Sequence, residues 1–366
     1  APPAGTVVGG AGRRRRGLTL MRFGVLARPG DVSRLARLEG LGYEEVWFPD
    51  SQLVSGDPYV AMALLGAATT RLGLCVGVSN PVTRHVSVTA NAIATLNAAF
   101  PGRVALGLGT GHSAVRALAL PAARLRDLRT YVTACRALLR GEEARPAADG
   151  PPVRFLQSSR GALNTTDPVP IRVAAGGPAA LRLAGELADE VVVGTIDERL
   201  LALQLEHVRE GAARAGRAPD AVRVTAVAAF FVASPAPSVE ELVDHVGLHV
   251  SSMLVSNWRT ALANPDRVDP GLRHSFERGR EAFSFERAGG TGDANLRAYE
   301  TYMTGLPDWQ RELVDEPALR AKVLWGAPST IRERLARLEE LGVGRVVLYP
   351  DQKDPSGLER FAEQFV

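Results

Sequence analysis

Asp50 and His112 are the side chains of this 366-residue chain best suited to moving protons. Asp50 closes the run Val46-Trp47-Phe48-Pro49-Asp50, and His112 follows Gly107, Gly109, Thr110 and Gly111. A carboxylate at the end of an apolar run has two readings. It hydrogen-bonds or deprotonates a bound ligand, or it caps the helix that follows. An imidazole at the head of a helix faces the positive end of the dipole, which disfavours its charged form and leaves it neutral. Such a histidine accepts or relays a proton; the alternative is a capping or solvent-facing role. Ala175-Gly176-Gly177-Pro178 is a pattern for anions. Two glycines let backbone N–H groups approach a ligand, and Pro178 suits the first turn of a helix. Phosphate is the natural guest, with Thr195 as a neighbouring hydroxyl donor, and an ordinary tight turn would use the same residues.

Other chemistries fail on spacing. Gly107, Gly109 and Gly111 imitate a dinucleotide fingerprint, but its last glycine is missing and no acid follows about 20 residues later. His245 and His249 are four apart beside Asp244, yet no HExxH glutamate or third ligand accompanies them, so no metal is expected. His85 reads as structural, stacked under the Asn80-Pro81 turn. No serine or cysteine sits in a G-x-S-x-G context, and Cys75, inside an apolar run, reads as a small buried hydrophobe. Lys322 and Lys353 are the only lysines among 43 basic residues. Neither is placed for Schiff-base work, Lys322 lying in the run Leu319–Leu324 and Lys353 in a polar tail turn.

The elements that must position these residues alternate along the chain. Short apolar runs at Phe23–Leu26, Val46–Phe48, Leu72–Val76, Val104–Leu108, Ile171–Ala174, Val191–Val193, Val222–Phe231 and Arg345–Leu348 predict strands. Helical periodicity fills the gaps: 31–41, 59–68, 87–98, 125–139, 179–187, 200–213 and 331–341. Apolar strands between helices predict a parallel sheet covered on both faces, and eight such units fit an insertion-bearing (β/α)₈ TIM barrel of class α/β. A doubly wound open sheet is the rival. Gly141–Pro170 reads as a loop excursion and Leu248–Val323 as a helical insertion between the last two strands. Trp258, Phe276, Phe283 and Phe285 pack that insertion or cover the mouth. In a barrel, active residues follow the C-terminal ends of strands. Asp50, Asn80, the glycines before His112, Ala175–Pro178 and Thr195 all satisfy that rule.

Composition sets the outer limits. With 46% hydrophobic and 23% charged residues the chain reads as an ordinary globular protein, and no run approaches the roughly 20 apolar residues of a membrane span. Two cysteines cannot build a disulfide framework, which predicts a reducing, cytoplasmic setting. The formal charge is +3, but Arg13–Arg16 lie in residues 1–20, which hold no acids and read as a disordered basic leader. Without those four, the basic residues fall just below the 40 acidic ones, so residues 21–366 read as a near-neutral single barrel domain. Nucleic acid is not an expected partner.

Taken together, Met21–Leu26, Gly42-Tyr43-Glu44-Glu45-Val46-Trp47-Phe48-Pro49-Asp50, Asn80-Pro81-Val82-Thr83-Arg84-His85, Gly107-Leu108-Gly109-Thr110-Gly111, Ala175-Gly176-Gly177-Pro178 and the closing Gly326-Ala327-Pro328 and Leu341-Gly342-Val343 resemble the luciferase-like flavin-dependent oxidoreductases. Within them the chain is most similar to the branch of methylenetetrahydromethanopterin reductase and deazaflavin-dependent dehydrogenases. The resemblance implies a barrel with insertions, usually a homodimer, with deazaflavin coenzyme F420 or reduced flavin mononucleotide (FMNH2) across the strand ends. It implies that Ala175, Gly176, Gly177 and Thr195 hold the cofactor phosphate, that Asp50 approaches the ring, and that Gly77 and Val78 back it through a bulge that is often a non-proline cis peptide. Asn80, Gly109 and Thr110 would line the same pocket. The chain departs from its relatives at Val86, where many carry proline, and at His112, where many carry Asp or Glu.

Three functions follow in order. The first is hydride transfer between F420 and a small organic substrate, with His112 or Asp50 managing the proton. The second is a two-component monooxygenase using FMNH2, oxygen and a partner flavin reductase. A deazaflavin lacks N5 and does not readily form the oxygen adduct of a flavin, so the cofactor decides between these. The third is a cofactor-free binding or assembly protein on the same barrel.

Overall fold

The computed structural model describes residues 21–366 apart from 31, 148–149, 158–160, 284–295, 297–304 and 352. The basic leader and Phe285 lie outside the described residues.

Each apolar run forms a strand: β1 (Arg22–Leu26), β2 (Glu45–Phe48), β3 (Gly73–Ser79), β4 (Val104–Leu108), β5 (Ile171–Ala174), β6 (Glu190–Val193), β7 (Arg223–Val232), β8 (Val323–Gly326) and β9 (Val343–Tyr349). All pairings are parallel, and neighbours follow chain order from β1 to β7. β9 pairs with both β7 and β1, which closes eight strands into a ring and removes the open-sheet alternative. A closed ring leaves no unpaired edge. β8 was not expected. β7 runs for ten residues, and β6 covers only Arg223–Ala226 of its edge. β8 takes the stretch Ala229–Val232 above it, outside the ring.

The helices before the long insertion are α1 (Val32–Ala36), α2 (Leu38–Leu41), α3 (Pro58–Ala68), α4 (Val86–Ala99), α5 (Ser113–Arg116), α6 (Leu125–Leu139), α7 (Pro178–Leu187) and α8 (Glu198–Arg214). The stretch read as one helix over 31–41 is broken at Arg37 into α1 and α2. His85 is not stacked beneath a turn. It is the exposed N-cap of α4, its Nδ1 accepting from Ser87 N–H at 3.3 Å. The insertion begins earlier than Leu248, with α9 (Val239–Ala263), followed by α10 (Pro270–Ala282), and Val323 already belongs to β8. It has its own apolar core, in which Leu254, Leu272 and Phe276 are fully buried, so these aromatics pack the insertion. Among the described residues no helix is long and apolar enough to cross a membrane.

The barrel interior has two layers. Leu26, Trp47, Cys75, Ala105, Val192, Val227 and Val347 fill the upper one. Below them sits a charged quartet that the apolar strand reading did not foresee. Arg172 bridges Glu45 at 2.8 Å, and Arg345 bridges Glu190 at 2.7 Å and Glu45 at 2.9 Å. Two acids and two arginines cancel, and Trp47 Nε1 also donates to Glu45. Removing one member would leave a buried charge uncompensated, at a cost of about 3–5 kcal/mol.

Candidate active site

Asp50 ends β2 and is buried at the rim. Its carboxylate accepts from Ser79 Oγ at 2.6 Å, from Arg84 Nε at 2.7 Å and Nη2 at 3.1 Å, and from Gln52. Arg84 also reaches Asp57 at 2.6 Å and lies over the Tyr59 ring at 4.5 Å. This bidentate pair drives the Arg84 guanidinium pKa upward. Asp50 is therefore an anchor that ties β2 to the β3–α4 loop. It does not cap the following helix; Asp57 does, accepting from Tyr59 N–H at 2.9 Å and Val60 N–H at 3.1 Å.

Gly77 and Val78 are the two part-exposed residues near the end of otherwise buried β3. Their peptide is cis, and the register with β4 slips between Val76 and Ser79. A Cβ at Gly77 would lie 2.6 Å from the Trp47 ring, so only glycine lets the chain cross there. Asn80 turns its amide onto its own loop: Oδ1 accepts from Val82 and Thr83 N–H at 3.0 Å each, and Nδ2 donates to Thr83 Oγ1 at 3.0 Å. It shapes the rim through an Asx turn.

His112 precedes the short α5 and makes no capping hydrogen bond. Its pKa is lowered to about 3, first by burial and then by Arg116, so the ring is neutral as expected, although burial rather than a helix dipole is the cause. Beside it Ser113 Oγ and Ser51 Oγ meet at 2.7 Å, joining the ends of β4 and β2. Thr110 is part-exposed, and Gly109 N–H is bonded to Ser79 O at 2.9 Å, with Val78 packed where a Gly109 Cβ would stand.

After β5, Gly176 and Gly177 lead into the head of α7, while Ala175 and Thr195 are bonded within the fold. α7 starts at Pro178 with Gly177 as a cap that offers no side chain, so the helix head is left to a ligand. Arg259 of α9 lies alongside, its Cδ 3.4 Å from where a Gly177 Cβ would be. Ala175 N–H is committed to Val192 O at 3.1 Å. Thr195 is fully buried, donating to Ala321 O at 2.9 Å and accepting from Asp197 N–H at 3.1 Å, so it braces the loop and has no donor to spare for a phosphate. Gly176 serves a second purpose: a Cβ there would sit 2.5 Å from Ser256 O, so the glycine lets α9 settle on the barrel mouth.

The structure adds a group that the sequence reading set aside. Lys322, just before β8, is 3% exposed and extends its Nζ over the mouth to Gly194 O at 3.0 Å and Val227 O at 2.6 Å. Burial pulls its pKa down to about 7. Tyr349, at the end of β9, lies 5.2 Å below the amine and stacks at 4.2 Å on His249 of α9. Tyr349 and His249 line an open pocket of about 180 Å³ together with Leu26, Arg28, Arg34 and Asp351. The proposed spacing pair His245 and His249 diverges, since His245 binds Asp351 while His249 stacks on Tyr349. Among the described residues no three His, Cys, Asp or Glu side chains converge as metal ligands.

The bulged, part-exposed end of β3 and the head of α7, which has no capping side chain, both lie at the C-terminal ends of the strands. The fold defines the class: an α/β (β/α)₈ barrel, an architecture that builds ligand sites at the C-terminal strand ends. The chain belongs to the luciferase-like monooxygenase family, which matches residues 16–345. It is 33% identical over 233 residues to a 5,10-methylenetetrahydromethanopterin reductase of Methanolobus tindarius, covering 61% of this chain and 70% of that protein. It is 35% identical over 169 residues to an F420-dependent glucose-6-phosphate dehydrogenase of Nakamurella multipartita, covering 43% and 48%. The coenzyme F420-dependent tetrahydromethanopterin reductase of Methanopyrus kandleri has a similar fold, with a TM-score of 0.69 at 21% identity over 94% of this chain and 98% of the other.

Proposed function

We propose that the chain is an oxidoreductase that uses coenzyme F420 to pass a hydride to or from a small organic substrate. Relatives in both the reductase and the dehydrogenase groups carry F420 chemistry in their names, which favours F420 over FMNH2. The observation that carries the reading is the head of α7, which has no capping side chain and lies beside Arg259, at the same end of the barrel as the Gly77–Val78 bulge.

When bound, the deazaflavin supplies a two-electron hydride donor or acceptor, and the protein supplies position, charge and proton handling. Gly176 and Gly177 backbone groups with Arg259 would hold the phosphate; Gly77 and Val78 would back the ring, bordered by Gly109, Thr110 and Asn80. Asp50, locked by Arg84 and Ser79, orients the rim as a fixed negative charge. His112, neutral at working pH, accepts a hydrogen bond or proton and is a poor donor. Ala175 and Thr195 act as braces.

Two further features belong to this proposal. The chain forms a homodimer through α3 and α4, whose outer faces carry no charged residue, and it works in the cytoplasm, where its two buried free cysteines stay reduced.

Gly177→Asp tests the cofactor site. A side chain fits there, 3.4 Å from Arg259 Cδ, and aspartate is a good N-cap, so stability should hold or rise. Its charge occupies the anion site, so F420 affinity followed by fluorescence should fall by about tenfold or more. Unchanged affinity would move the phosphate elsewhere.

A further inference from the structure

The pocket at the ends of β1 and β9 has a lining that neither the cofactor site nor the barrel core explains. Leu26 and Tyr349 line it, and both also belong to or pack against the upper interior layer, so the pocket adjoins that layer at the mouth. Leu35 of α1 and Leu358 of the C-terminal helix (Gly357–Phe365) extend the apolar wall. Against it stand two guanidinium groups, those of Arg28, which follows β1, and Arg34 of α1. Arg34 is steered by the chain after β9: its Nη2 donates to Pro355 O at 2.8 Å. A guanidinium carries several N–H donors in a fixed fork, so it can serve a carbonyl and a ligand together.

The other polar groups of the wall do not cancel these charges. Asp351 is 5% exposed, and its carboxylate accepts from Lys353 N–H at 2.9 Å and pairs with His245. His249, stacked on Tyr349, is neutral, its pKa lowered to about 3 by burial and by Lys322. Two guanidinium groups against one carboxylate leave the wall net positive. The pocket is also distinct from the head of α7. β1 stands four strands from β5 in either direction around the eight-stranded ring, so the two sites lie on opposite sides of the mouth.

We propose that this pocket binds a small organic carboxylate, with its charge on Arg28 and Arg34 and its apolar body against Leu26, Leu35 and Tyr349. The chemistry of the wall selects that class. A planar guanidinium meets a carboxylate through parallel N–H···O bonds, which an uncharged alcohol or amide cannot reproduce. The apolar remainder disfavours a sugar phosphate, whose hydroxyl groups would lose their hydrogen bonds to water without gaining others. The assignment stands apart from the F420 reading, since it uses none of the residues given to the cofactor.

Full-length protein without cofactor is titrated with 4-fluorobenzoate and, separately, with uncharged 4-fluorobenzamide, and binding is followed by ¹⁹F NMR. The acid should bind at least about tenfold tighter than the amide, and added salt should narrow the difference. Arg28→Gln and Arg34→Gln should each weaken the acid by about fivefold or more while leaving the amide and F420 within about twofold. Gly177→Asp, on the far side of the mouth, should leave the affinity for the acid unchanged, and so should saturating F420. Equal affinity for acid and amide overturns the proposal, and that comparison needs no variant. Affinity for the acid untouched by both arginine substitutions, or displacement of the acid by F420, also overturns it. Glucose 6-phosphate binding that is lost in Arg28→Gln would make the ligand a sugar phosphate and overturn the choice of class. Failure of the wild type to bind F420 would sink the cofactor reading instead, leaving the result with the acid standing.

Discussion

At the scale of single residues, the mouth is built from groups whose protonation is set by burial. His112 and His249 stay neutral in the fold down to about pH 3, whereas in the unfolded chain they charge near pH 6.5. Below 6.5 the unfolded state binds more protons, so stability falls as pH drops through that window, by up to ~1.4 kcal/mol per pH unit for each group. Lys322 behaves alike at higher pH: its folded value of about 7 lies under the ordinary 10.5, so stability rises between those values. Urea unfolding at pH 5, 7 and 9 should show ΔG increasing in that order, and Lys322→Met should flatten the upper step. A flat profile between 7 and 9 in the wild type would mean the amine is charged in the fold. Asp50→Asn breaks the bidentate pair with Arg84 and should cost about 2–3 kcal/mol in thermal or urea unfolding. Asp50 and His112 were legible as candidates because strand-end position is readable from periodicity. The partners of Asp50 were not, since Ser79 arrives on β3 and Arg84 on the loop that follows it.

At the scale of elements, glycines record where the insertion meets the barrel. Gly107 allows β3 and β4 to cross at the bulge: a Cβ would stand 2.3 Å from Val76 O, a backbone atom that cannot swing aside. Gly107→Ala should destabilise by about 3 kcal/mol or more and abolish cofactor binding, which circular-dichroism melts and F420 titration would register. The same logic separates what could be read from what could not. Seven strands followed from short apolar runs and the helices between them from the 3.6-residue period, and the last barrel strand was found at β9. β8 escaped because four residues, one of them Trp325, carry no period of their own. Glu45, Arg172, Glu190 and Arg345 carried no signal of their own in an apolar-strand reading, and only closure of the ring turns them inward against one another. Lys322 was set aside because its setting depends on β6 and β7, far away in sequence; its rarity was the one available signal.

At the scale of the whole molecule, charge is distributed unevenly. In a chain with 23% charged residues, α3 and α4 have none over PYVAMALLGAA and VSVTANAIATLNAA. Val60, Leu64 and Val88 remain 59%, 55% and 53% exposed on that face. The homodimer proposed above would bury them, and on that proposal Leu64→Lys should weaken self-association at least tenfold in light scattering while leaving the melting temperature of the monomer unchanged. The decisive measurement concerns the cofactor. Purified protein is titrated under nitrogen with F420 and, separately, with FMNH2, and oxygen is then admitted. Tight F420 binding with no oxygen consumption is the predicted result. FMNH2 binding with oxygen consumption and no affinity for F420 would contradict it.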